Sequence, residues 1–98
     1  MARRIAWTES ALQELEAAAD YIARDSQRYA SALVEEALSI GRSLQRFPTR
    51  GRVVPELSND AVRELFVKSY RLIYEIRESQ VVILAFIHGA RRFPSGLA

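Results

Sequence analysis

Between residues 62 and 88 three strand-patterned runs follow one another with connections only two or three residues long. Connections that short join antiparallel neighbours, because a parallel crossover needs a dozen residues or more. The runs are Val62 to Val67, Arg71 to Arg77 and Gln80 to His88. In the middle run Leu72, Tyr74 and Ile76 alternate with Arg71, Ile73, Glu75 and Arg77, the period of a strand with one face toward a core. The last run is apolar throughout from Val81 to Ile87, which marks a central strand covered on both faces. A three-stranded antiparallel meander is therefore predicted for this part of the chain.

The preceding sequence carries a helical period instead. Arg3-Arg4-Ile5-Ala6-Trp7 reads as a short strand, and Thr8 is suited to cap a helix after it. Leu12, Leu15, Ala19 and Ile22 recur at spacings of three and four, and Glu9 complements the dipole of the first turn. Asp25-Ser26 interrupts the pattern, and Ser26 caps a second helix. There Ala30, Leu33, Ala37, Ile40 and Leu44 form one stripe and Val34, Leu38 and Gly41 an adjoining one. A face that broad suits a helix packed on both a partner helix and a sheet. Residues 8 to 46 are thus predicted as an antiparallel helical hairpin. Phe47-Pro48-Thr49-Arg50-Gly51-Arg52 is a stop and a turn, followed by a loop through Pro55 to about Asp60. Residues 89 to 98 read as an irregular tail. The expected fold is α+β: an N-terminal strand, an antiparallel helical hairpin, then a three-stranded antiparallel meander completing one mainly antiparallel sheet. At 98 residues it is one domain, 1–98.

Composition removes several kinds of chemistry. There is no cysteine and one histidine, the carboxylates are scattered, and no glycine-rich loop follows a strand. Thiolate, metal and phosphate-loop chemistry are set aside, as is a serine triad, and no cofactor is expected. Arg3 and Arg4 do not introduce an apolar signal segment, and the Val81–Ile87 run is too short to cross a bilayer as a helix. A cytoplasmic protein with no membrane partner is the expectation.

The basic excess is mild, with 14 Lys and Arg against 12 Asp and Glu, a net +2, but it is unevenly placed. Most carboxylates precede residue 61. From Arg63 onward Arg63, Lys68, Arg71, Arg77, Arg91 and Arg92 face only Glu64, Glu75 and Glu78, which points to a polyanionic or acidic partner. The candidates near the strand ends are Arg63, Glu64, Lys68, Tyr70, Arg71, His88, Arg91 and Arg92. Singly, each has an ordinary explanation: Arg71 as a solvated edge charge, His88 as a surface hydrogen-bonding residue.

Taken together, Val62-Arg63-Glu64-Leu65, Tyr70-Arg71-Leu72-Ile73-Tyr74, the Val81 to Ile87 run and His88-Gly89-Ala90-Arg91 resemble the corresponding half of RelE/ParE toxins. The tryptophan-ended first strand, Ala11 and Leu15, the Phe47–Arg52 stop and Val54-Pro55-Glu56 extend the resemblance over nearly the whole chain. It implies a RelE/ParE-like fold and the toxin component of a bacterial type II toxin–antitoxin module, inhibiting growth and neutralised by a cognate antitoxin. RelE-like members are metal-independent endoribonucleases that cut mRNA on the ribosome. ParE-like members bind and poison DNA gyrase and are not hydrolases.

For the ribonuclease, the resemblance places Arg71 and Arg91 around the scissile phosphate, with Arg63 or Lys68 as a further cation and His88 as base or acid. Glu64 is a weaker candidate for the base. The sequence departs from that pattern. Arg63, Glu64 and Lys68 stand where RelE-like enzymes have a lysine cluster, and Arg92-Phe93-Pro94-Ser95-Gly96-Leu97-Ala98 holds neither tyrosine nor histidine. The His88–Arg91 ending and the loop around Pro55 are closer to ParE-like proteins, which favours the gyrase poison. Arg63, Lys68, Arg71, His88, Arg91 and Arg92 are then candidates for target binding. The resemblance also implies an antitoxin that folds across the helical hairpin and a sheet edge, with Val34 and Leu38 as candidate contacts. An acidic antitoxin would suit the basic C-terminal part.

Overall fold

The computed structural model describes residues 2–91. Strand β1 (Arg4–Trp7) leads into helix α1 (Glu9–Ala23) and helix α2 (Gln27–Ser43). A single 3-10 turn (Pro48–Arg50) and the two-residue strand β2 (Arg52–Val53) follow. The chain then forms β3 (Val62–Val67), β4 (Tyr70–Ile76) and β5 (Gln80–His88). The one sheet has the order β1-β5-β4-β3-β2, parallel only between β1 and β5. The α+β expectation and the meander are met; β2 forms where the sequence predicts turn and loop.

Local chemistry sets the helix starts. Thr8 accepts from the Ala11 N–H at 3.0 Å and Ser26 from the Tyr29 N–H at 3.2 Å, each satisfying a donor with no partner inside its helix. Both helices lie on one face of the sheet. Their buried residues are Ala11, Leu15 and Ala18 in α1, and Ala30, Leu33, Ala37 and Gly41 in α2. On α1 the sheet-facing stripe is turned by about one residue from the predicted one. Ala11 and Ala18 face inward while Leu12 stays 46% exposed. The small side chains let the helix lie close to β5, and the leucine is left on the outer flank. At Gly41 the room is taken by the core itself, since a Cβ would sit 3.3 Å from Ile83 Cδ1 and 3.5 Å from the Trp7 ring.

The opposite face of the sheet is also covered. Val54 and Leu57, from the segment between β2 and β3, pack on Val62, Ile73, Ala85 and Ile87. The alternation in β4 therefore separates two buried faces, and Ile73 and Arg71 are inside instead of solvated. Between β4 and β5 the register slips: Ile73 pairs with Ala85 and Tyr74 with Ile83, which leaves Leu84 as an extra residue. A bulge of this kind reverses the in–out parity of the rest of its strand. Val81 and Ile83 face the helices before it, and Phe86 faces them after it.

β1 shelters only Gln80 to Ile83 of β5. Farther along that edge the Phe86 N–H is met by Glu14 Oε1 of α1, at 2.9 Å, in place of a neighbouring strand.

Candidate functional site

Arg63 and Arg71 lie on adjacent strands, as expected, but on opposite faces. Arg63 pairs in register with Tyr74, Phe66 with Arg71 and Glu64 with Ile73, and directly paired residues share a face. Arg63 is half-buried and donates to the carbonyl oxygens of Asp60, Gly51 and, at 3.4 Å, Thr49. Its guanidinium ties two loops together at the end of the sheet remote from the β3–β4 turn.

Arg71 is 6% exposed and Glu64 1%. Arg71 Nε donates to Glu64 Oε1 at 2.7 Å, and Nη1 and Nη2 reach the two Glu56 oxygens at 3.0 and 2.9 Å. Arg52 pairs with the other oxygen of Glu64. Two carboxylates thus surround one guanidinium in the fork geometry that arginine favours. The hydrogen bonds to Glu56, with those to Glu64, raise the Arg71 pKa above its ordinary value against the opposing effect of burial. The hydrogen bond from Arg71 holds the Glu56 carboxyl below its ordinary value. The arrangement anchors the β2–β3 segment to the sheet through Glu56. Sequence reading did not find it, because Glu56 lies in a loop and Glu64 stands one strand away.

His88 lies across the sheet from Arg71. It pairs with Tyr70 in register, its ring meets the Tyr70 ring edge-on at 5.3 Å, and Tyr70 stacks on Phe86 at 5.1 Å. The Leu84 bulge is what places it there. Without the extra residue Phe86 and His88 would share the face of Arg71. His88 is exposed, and its Nδ1 accepts from the Ala90 N–H at 3.2 Å. With Arg91, Tyr70, Phe86, Tyr21 and Glu14 it lines a cleft of about 230 Å³.

Lys68 sits in the two-residue turn between β3 and β4 at φ 55°, the one positive-φ non-glycine among the described residues. Two-residue hairpin turns demand such a φ to match strand twist, at a cost of about 1 kcal/mol for a residue with a Cβ. The turn sets the exposed Lys68 ammonium at the tip, 3.4 Å from Glu36. The Gly89 N–H donates to the Ser69 carbonyl, so Lys68, His88 and Arg91 share one end of the sheet. Arg92 lies outside the described residues.

A second feature runs along the outside of the hairpin. Two contiguous clefts of about 330 and 240 Å³ share Ala19, Asp20 and Val34. One extends along Leu12, Leu15 and Leu38, the other along Ala23 and Ala30. Val34 and Leu38 are half-buried: their inner atoms touch the core and their outer surfaces form the groove wall. Among the described residues no group of three or more His, Asp or Glu side chains is placed to hold a metal ion, and no helix is long and apolar enough to cross a membrane.

The family model for the ParE toxin of the type II toxin–antitoxin system, parDE, matches residues 5–93 of this chain. Among solved structures the chain is similar to one described as the chromosomal ParDE TA system from P. aeruginosa. That match has a TM-score of 0.71 and 20% sequence identity, and covers 88% of this chain and 95% of the other. This second likeness is one of fold. No curated protein sequence matches the chain.

Proposed function

The chain belongs to the ParE toxin family of type II toxin–antitoxin systems, and from that membership we propose that it arrests bacterial growth by binding and poisoning DNA gyrase. A cognate antitoxin neutralises it. The observation that carries the gyrase reading over mRNA cleavage is the position of Arg71. Metal-free cleavage needs a base, an acid and cations gathered around one phosphate. Here Arg71 is buried between Glu56 and Glu64 on one face of the sheet, and His88 is on the other. A poison needs no such convergence, only a contact surface. Lys68, His88 and Arg91 supply an exposed one, and Arg92 continues it in sequence. Gyrase acts in the cytoplasm, which is the proposed place of action.

The antitoxin is assigned to the groove along the hairpin, where Val34 and Leu38 present apolar surface beside Leu12 and Ala19. Apolar surface in a concave, elongated shape is what a folding peptide segment needs in order to offset its ordering entropy.

The test is supercoiling of relaxed plasmid by purified gyrase, with the folded protein and with its antitoxin added. Inhibition that the antitoxin relieves is expected, and Arg91→Glu should weaken that inhibition while the protein remains folded. If a folded, antitoxin-binding protein leaves supercoiling untouched and cuts mRNA on ribosomes, the reading fails. Arg71 would then have to leave its carboxylates to act.

A further inference from the structure

The banks of the hairpin groove are acidic, and their charges are unspent. Glu16 and Asp20 stand on the α1 side, four residues apart, and Glu35 on the α2 side; all three are exposed and line the clefts. None of them makes an ion pair among the described residues, whereas Glu36, one position on, is paired with Lys68. Between the banks the lining is mainly apolar and mostly of small side chains: Ala19, Ala23 and Ala30, with Leu15, Val34 and Leu38, and with Gln27 and Ser31 as polar neighbours on α2. No arginine or lysine lines either cleft.

The groove runs along two helices, whose backbone groups are bonded within each helix away from its ends, so it offers no row of backbone donors and acceptors to an incoming strand. A segment that buries itself there has to satisfy its backbone internally, which an α-helix does. The small floor residues let a third helix approach closely, as ridges enter grooves between packed helices. The stretch from Leu12 to Ala23 is roughly 16 Å long at the helical rise, about three turns of a partner helix.

We infer that the hairpin groove takes an amphipathic helix of the antitoxin whose apolar stripe is flanked by lysine or arginine, set to meet Glu16 and Asp20 on one side and Glu35 on the other. The inference rests on the antitoxin reading above and gives that partner a charge. The sign is opposite to that suited to the basic C-terminal half of the chain. Charge of this kind selects the partner and its direction in the groove more than it adds affinity. Two carboxylates on one bank against one on the other distinguish the two ways a helix can lie there.

Two stapled helical peptides of three to four turns test it, identical in their leucine stripe and flanked by lysine in one and glutamate in the other. Binding to the whole protein is followed by fluorescence anisotropy. The lysine peptide should bind, lose affinity with added salt, and bind about tenfold more weakly to the triple variant Glu16→Lys, Asp20→Lys, Glu35→Lys. The glutamate peptide should prefer that variant. All three positions are exposed, and circular dichroism confirms the fold. Equal binding of both peptides, binding indifferent to the triple variant, or no binding by either overturns the inference. The gyrase assay is read separately. Neutralisation by the antitoxin that survives the triple variant undiminished would reject the charged groove and leave the toxin reading standing. Failure of the antitoxin to relieve the unmodified protein would reject the toxin reading itself.

Discussion

Tyr74 holds a loop in place through one oxygen. It is fully buried, accepts from the Gly51 N–H at 2.9 Å and donates to the Pro48 carbonyl at 2.7 Å. Burial raises its pKa above the ordinary phenol value, so the hydroxyl keeps the proton it donates. Tyr74→Phe would strand both backbone groups and should cost about 1–3 kcal/mol in urea unfolding. Gly51 has no alternative residue at this contact, since a Cβ there would lie 2.6 Å from the Tyr74 oxygen and 2.7 Å from the Glu64 carbonyl. Arg71 keeps the Glu56 pKa below its ordinary 4.5. The pair's contribution is therefore complete above that value and fades as pH falls through the lower, folded value. Wild type should be more stable than Glu56→Gln near neutrality, with the gap closing in acid. A gap independent of pH would show that the carboxylate charge is not what binds the loop.

At the scale of elements, α2 is a helix with two apolar faces and only one sheet to cover. Its inner stripe meets the core and its outer one borders the groove. Leu38→Glu should leave the fold intact and lower antitoxin affinity by at least about tenfold, because it sets a charge against apolar surface. Loss of helical signal in that variant would return Leu38 to the core. The elements themselves were legible because periods of two and of three to four stand out, and Thr8 and Ser26 punctuate them. The bulge was not. Every position from Val81 to Ile87 is apolar, so nothing in the sequence marks Leu84 as the extra residue. The face on which His88 emerges depends on that one residue, which is why Arg71 and His88 read as neighbours in sequence. Strand β2 escaped notice for another reason: two residues are too few to display a period. The burial of Arg71 depends on Glu56, whose partner in the sheet could not be read from a loop.

Across the whole molecule, 39 Å at its longest, charge is segregated. Unpaired carboxylates border the hairpin groove, and Lys68, His88 and Arg91 gather at one end of the sheet. Substitutions at separate sites with no shared partners have additive effects. Arg91→Glu should impair gyrase inhibition with antitoxin affinity unchanged, and Leu38→Glu should do the reverse. The double variant should combine the two losses without interaction, measured by supercoiling and by titration with antitoxin. Coupling between them would mean that one surface serves both partners.

Glu14 occupies the place of a missing strand on β5, and this bears on how the protein behaves in a crowd of its own kind. Long bare strand borders recruit further chains and grow into fibres. The two outermost strands here have four and two residues. The nine-residue β5 is screened by β1 along its first part and by a carboxylate oxygen beyond. A charged side chain across a backbone donor blocks recruitment twice over, by filling the hydrogen-bond site and by repelling the same group on an approaching copy. Self-association through that border is thereby disfavoured, so Glu14→Ala should raise light scattering of the free protein at high concentration while the wild type stays clear.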